Sequence, residues 1–127
     1  GKVPAGRESD AIFATIDFMP TFAALTGFDV PNDRVIDGIN QVPLLLGRRN
    51  TGRDHFYFQK AGVRQGRWKF LKANAFFHGY AVDDSRPKKD ELYDLQADIG
   101  ERKNVAEAHP EKVEELRQLM LKLEAAK

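Results

Sequence analysis

At 127 residues the chain has the size of one small domain or of the tail of a larger one. It is 42% hydrophobic, enough for a core, and 31% charged with a net charge of +1; Lys and Arg are spread along it, which excludes an electrostatic case for nucleic acid. Cysteine is absent, so there is no disulfide framework and no thiolate metal site, and no membrane-spanning run or signal peptide is visible, although an N-terminal fragment boundary would hide the latter.

Residues 1–9, polar with Pro4 and Gly6, read as a loop. The short run 11–16 carries β-branched and aromatic residues and predicts a buried strand. Asp17 suits the N-cap of a helix over 18–26, with Pro20 in the first turn and Gly27 as the left-handed stop. Phe18, Phe22 and Leu25 form the buried stripe expected of that helix. Residues 29–40 are loop-like, with Pro31 and an Asp37-Gly38 turn in which Asp37 reads as a local acceptor rather than a metal ligand. The polar stretch 48–53, with Asn50, Thr51 and Gly52, marks a boundary between residues 1–50 and 51–127.

Beyond it, residues 54–60 alternate around Phe56 and Phe58 and predict a strand, turned by Ala61-Gly62 into a second one at Val63-Arg64. Gln65-Gly66 is a two-residue hairpin signal. Residues 67–72 follow as a third strand, with Trp68 and Phe70 on one face and Lys69 and Leu71 on the other. Residues 91–95 read as a fourth strand with Tyr93 and Leu95 inward and Leu92 half covered. The turn Asp98-Ile99-Gly100-Glu101 has capping-box chemistry, with Gly100 relaxing its backbone. A terminal helix from Pro110 to about Ala125 places Val113, Leu116, Met120 and Leu123 on one stripe, with Leu119 beside them. Glu111, Glu114 and Glu115 lie near its start, and Lys122 and Lys127 near its end. The fold class is therefore α+β: a small antiparallel sheet of about four strands covered by a C-terminal helix and preceded by a strand-helix segment.

One connection is too long for an ordinary hairpin. Residues 74–90 carry Phe76, Phe77, His78, Gly79 and Tyr80, then Asp83, Asp84, Arg86, Lys88 and Lys89, and insertions of this length are often functional or disordered. His55 and His109 read as structural or solvated. Arg64, Arg67, Lys69 and Lys72 form either a basic patch or, more commonly, a solvated sheet face.

Five pieces of sequence share a wording: Ile16-Asp17-Phe18-Met19-Pro20-Thr21 with Ala24-Leu25-Thr26-Gly27; Ile36-Asp37-Gly38; Pro43-Leu44-Leu45-Leu46-Gly47; the hairpin Val63-Arg64-x-Gly66-x-Trp68-Lys69; and Leu92-Tyr93-Asp94-Leu95 followed by Asp98-x-Gly100-Glu101, Asn104 and His109-Pro110-Glu111. In this order they resemble the C-terminal portion of the sulfatase (arylsulfatase) family, of the alkaline phosphatase superfamily. The family usually has Pro where Ile99 stands.

That resemblance implies a parent that hydrolyses sulfate esters, with a large α/β domain holding formylglycine and calcium and a smaller C-terminal subdomain. Residues 1–50 would be the tail end of the large domain and 51–127 the subdomain. It implies no catalytic residue and no metal ligand here. Ser9 in Ser-Asp-Ala and Ser85 in Ser-Arg-Pro do not fit the Cys/Ser-x-Pro-x-Arg motif, and Asn32-Asp33 reverses the metal-binding order. The chain alone is expected to be inactive, shaping the pocket and stabilising the parent. In the 74–90 excursion, His78 with Tyr80 is the candidate substrate-binding pair; the alternative is His78 in solvent while Phe76 and Phe77 tie the loop down. The expected partner is a sulfate-ester substrate, with no nucleic acid or membrane, and family resemblance fits a periplasmic or secreted parent. Phe13, Phe18, Phe22 and Leu25 would be bare in isolation, so the fragment is expected to self-associate through its N-terminal segment or to fold that segment differently from a full sulfatase. The alternatives are a non-catalytic interaction or oligomerisation module, or the tail of a phosphonate or phosphodiester hydrolase.

Overall fold

The structure is a computed structural model that describes residues 1–75 and 88–126. They belong to two units, Gly1–Asp54 and His55–Lys127.

In the second unit, four short strands, β1 (His55–Tyr57), β2 (Gly62–Gln65), β3 (Trp68–Leu71) and β4 (Glu91–Asp94), form one antiparallel sheet in that order. The first strand is shorter than the alternation predicts. Gln59 takes a left-handed φ of 54°, and residues Gln59–Ala61 close as a 3₁₀ turn that delivers the chain to β2. The hairpin between β2 and β3 is also shifted by one residue from the Gln65-Gly66 expectation. Gln65 pairs with Trp68, so the loop is Gly66-Arg67, and only Gly66 has a positive φ (53°). A two-residue turn with a positive φ only at its first residue, a glycine, is the II′ pattern, which matches the strand twist.

Register then sorts the side chains. Residues opposite one another share a face, so the pairs Tyr57–Val63, Val63–Phe70 and Phe70–Leu92 run as one apolar row across the sheet. Helix α3 (Pro110–Ala125) covers that row: Val63, Phe70, Leu92, Leu116 and Met120 are at most 1% exposed, and Trp68, Val113, Leu119 and Leu123 pack around them. Both bounds of the helix and its apolar stripe match the sequence pattern. Leu92 does not. Expected to be half covered, it is fully buried under α3, while Tyr93 and Leu95 join Leu71 in a second cluster. Both faces of β4 are therefore apolar and covered, which alternation alone cannot reveal.

Asn104 closes the outer edge of β4. Its Oδ1 accepts from the Leu92 N–H at 3.1 Å and the Ala106 N–H at 2.9 Å, its Nδ2 donates to the Asp90 carbonyl at 3.1 Å, and the Val105 N–H donates to the Leu92 carbonyl at 2.9 Å. A strand edge that would otherwise be open to pairing is thereby occupied at Leu92. The preceding turn departs from a capping box. Asp98 accepts from Arg102 and Lys103 N–H (2.7 and 2.8 Å), four and five residues on, and the positive φ (52°) falls on Glu101 rather than Gly100.

In the first unit, the extended run before the first helix contributes a single bridge, Ile12 to Arg53, and then tightens into a 3₁₀ turn over Thr15–Asp17. Helix α1 (Phe18–Thr26) follows with the predicted bounds, and Gly27 ends it at φ 75°. A one-turn helix, α2 (Val42–Leu45), occupies the apolar turn and buries Leu44. The stripe of α1 is not where amphipathicity puts it: Pro20 and Thr21 are buried, whereas Phe18, Phe22 and Leu25 are 45%, 55% and 49% exposed. Thr21 is drawn inward because its Oγ1 accepts the Gln41 N–H at 3.0 Å, and this turns the aromatic face out.

Candidate functional site

Asp17 sits where an N-cap belongs, but its side chain makes no cap bond; it is the acceptor at the centre of the first unit. It is completely buried. Oδ2 accepts from the Ala14 N–H (3.0 Å) and Gln41 Nε2 (3.2 Å), and Oδ1 from the Ile39 N–H (2.9 Å). Arg53 Nε lies 2.9 and 3.0 Å from the two oxygens, Arg53 Nη2 lies 2.8 Å from Oδ1, and the same guanidinium also donates to the Asp37 carbonyl. Burial pushes the carboxyl up, but the Arg53 guanidinium and the donors from Ile39, Ala14 and Gln41 outweigh it and hold the group down to about 2. An anion so saturated with donors has no lone pair to offer a substrate proton. It is a structural clamp, joining residues 12–14, the start of α1, the 37–41 loop and Arg53.

In the second unit, charged side chains are spent on one another. Lys69 Nζ meets both oxygens of Glu101 at 2.8 and 2.6 Å, and Arg67 pairs with Asp94 and donates to Gln96 Oε1 at 3.1 Å. Two cations of the expected patch are thus engaged by carboxylates. Tyr93 donates to Glu91 Oε2 at 3.0 Å; burial, that hydrogen bond and neighbouring carboxylates push its phenol up to about 12, so it stays protonated. The His109 ring stands 5.1 Å from that of Trp68, a packing contact.

The most informative cluster frames the long excursion. Asp90 accepts the Ala73 N–H at 2.8 Å through Oδ1 and pairs with Arg117 of α3 through Oδ2, and the Asp90 carbonyl accepts from Asn104. The two ends of the 74–90 connection are therefore tied together and to the helix. Sequence reading missed this role for Asp90, Asn104 and Arg117, since their contacts reach up to 27 residues along the chain. The candidate substrate-binding residues His78 and Tyr80 lie outside the described residues.

No cysteine exists in the sequence, and among the described residues no three His, Cys, Asp or Glu side chains gather as a metal cluster requires.

No protein-family model matches the chain. It is 32% identical over 121 residues to the N-acetylgalactosamine-6-O-sulfatase of Bacteroides thetaiotaomicron, a match covering 90% of this chain and 24% of that protein. With arylsulfatase A of Homo sapiens it shares 33% identity over 134 residues, covering 85% of this chain and 26% of that one. A solved structure from work on glycosaminoglycan metabolism by Bacteroides thetaiotaomicron superposes with a TM-score of 0.72 and 30% identity, covering 91% of this chain and 25% of its own. The chain spans about a quarter of the length of these relatives.

Proposed function

This chain corresponds to a C-terminal portion of the sulfatase family, and on that premise we propose that it is the pocket-shaping, stabilising tail of a sulfuric ester hydrolase. The observation that carries the reading is extent: the sequence match to a sulfatase takes in 90% of this chain and only 24% of that protein. Residues 1–50 are the end of the catalytic α/β domain and 51–127 the C-terminal subdomain. The formylglycine and calcium belong to the upstream part of the parent, and the chain alone is inactive. Its lack of cysteine and of a Ser in the modification motif supports that division. The substrate is a sulfate ester, and His78 with Tyr80 hydrogen-bonds the sulfate or its leaving group. Isolated, the chain self-associates through its N-terminal segment, whose aromatic side chains are half exposed.

The test uses the full-length protein that carries this chain. Sulfate release from an aryl sulfate, with calcium supplied, is the expected result, and His78→Ala raises KM by roughly tenfold or more, the effect of losing a hydrogen bond to a charged group. Turnover of a phosphodiester or phosphonate ester without sulfate release overturns the reading, and an unchanged KM removes His78 from the site.

A further inference from the structure

The arginines of the first unit fall into two groups. Arg34 meets Asp33 at 2.6 Å and Arg53 meets Asp17 at 2.8 Å, so both charges are balanced where they stand. Arg7, Arg48 and Arg49 have no carboxylate partner among the described residues, although Glu8 follows Arg7 directly. Arg7 is nevertheless fixed. Its Nη2 donates to the Arg49 carbonyl at 3.3 Å and to Asn50 Oδ1 at 2.6 Å, 42 and 43 residues along the chain. Both acceptors are neutral, so they hold the guanidinium without cancelling its charge. They take the hydrogens of one nitrogen only; the Nε–H and the two Nη1 hydrogens have no acceptor among the described residues.

The turn that receives Arg7 is equally fixed. The Gly47 N–H donates to the Leu44 carbonyl at 3.0 Å, and the Pro43 carbonyl accepts from both Arg48 (2.8 Å) and Arg49 (3.1 Å). Gly47 has a φ of 71°, and a side chain on it would run into the Arg7 guanidinium, so only glycine lets that group lie on the turn. Three like charges are thereby gathered at the exposed stretch 47–50. In the second unit Arg67 and Lys69 are instead paired with Asp94 and Glu101. Tethering residue 7 to the turn needs its N–H groups, not two further cations beside it. We infer that Arg7, Arg48 and Arg49 form a binding surface for a polymer that bears several sulfate groups. Guanidinium forks match the oxygens of sulfate and phosphate esters alike and stay charged at any working pH. A cluster of them raises the local concentration of a polyanion beyond what one arginine achieves. The choice of sulfate over phosphate rests on the reading of the parent as a sulfuric ester hydrolase.

Binding of the full-length parent to immobilised dextran sulfate, measured against salt, tests the surface. Arg48→Gln with Arg49→Gln keeps the Arg7 contacts, which use the backbone of residue 49 and the side chain of Asn50. This double variant is expected to bind at least about tenfold more weakly, with a salt dependence shallower by about two ions, at an unchanged unfolding midpoint. Arg48→Lys with Arg49→Lys retains most of the binding, since the charge stays. The control is Arg102→Gln with Lys103→Gln, two exposed neighbouring cations of the second unit without a carboxylate partner among the described residues, and it leaves binding nearly unchanged. Unchanged affinity in the Arg48/Arg49 variant, or an equal loss in the control, overturns the surface. Tighter binding to immobilised polyphosphate of matched charge, through the same two arginines, overturns the choice of a sulfated polymer. A parent that releases no sulfate from an aryl sulfate but needs Arg48 and Arg49 for binding keeps the surface and sinks the hydrolase reading; an active parent indifferent to both does the reverse.

Discussion

Asp17→Ala is expected to unfold the first unit while leaving the sheet unit intact. The substitution strands the Arg53 guanidinium, whose side chain is only 13% exposed, together with the Ala14 and Ile39 N–H groups and the Gln41 amide. Breaking a buried pair from one side costs about 3–5 kcal/mol because the surviving charge is left uncompensated. A unit with so few buried apolar side chains has little stability in reserve. Amide exchange reads the outcome directly: protection at Ala14 and Ile39 collapses, while that at Leu92 and Val105 is retained. The acid limb has a defined sign. The carboxyl lies at about 2 when folded and at 3.8 in its reference state, so its contribution is fully present above about pH 4 and is lost as pH falls toward 2. The shift corresponds to about 2 kcal/mol, and the Asp17→Ala protein should show no such limb. Native-like protection in the variant would show that the clamp does not hold the unit.

The second large effect lies in the sheet. Phe70→Ala removes the ring at the middle of the Val63–Phe70–Leu92 row, under Leu116 and Met120, with the Arg117 guanidinium 5.4 Å from its centre. Large-to-small changes of this type cost about 3–5 kcal/mol, much of the stability of a unit this small. Phe70→Leu, which keeps most of the volume, should cost less than half as much. Thermal or urea unfolding of the two variants against the unsubstituted chain supplies the comparison. Equal, small losses for both would mean that the row is not the core that holds β3 and β4.

Much of this fold is written locally. Pro110 at the start of α3 and the stripe Val113, Leu116, Met120, Leu123 predicted a helix with the observed bounds and partner face. The alternation of Trp68, Lys69, Phe70 and Leu71 sorted β3 correctly. Where sequence reading failed, the deciding contact was distant. Glu101 had the spacing of a capping box, yet its carboxylate goes to Lys69, 32 residues away. Asp17 had the position of an N-cap, yet Arg53, 36 residues on, takes it. Leu92 sat on what looked like the lesser face of a strand whose two faces are both apolar, so periodicity could not choose between them. Phe18, Phe22 and Leu25 carry a sound helical pattern, but a pattern says only that a face wants cover, not that this stretch of chain supplies it. The candidate site was legible only as a place. An excursion too long for a hairpin pointed to residues 74–90, and the Asp90–Ala73 and Asp90–Arg117 contacts fix where that excursion is rooted. His78 and Tyr80 rest on the family resemblance.

The most direct test of the central claim is sulfate release from an aryl sulfate, measured with the purified 127-residue chain beside its full-length parent under identical calcium. The proposed function predicts turnover by the parent and none by the chain, whose sequence has no Cys and no Ser in a complete Cys/Ser-x-Pro-x-Arg motif. Turnover by the chain itself would contradict it.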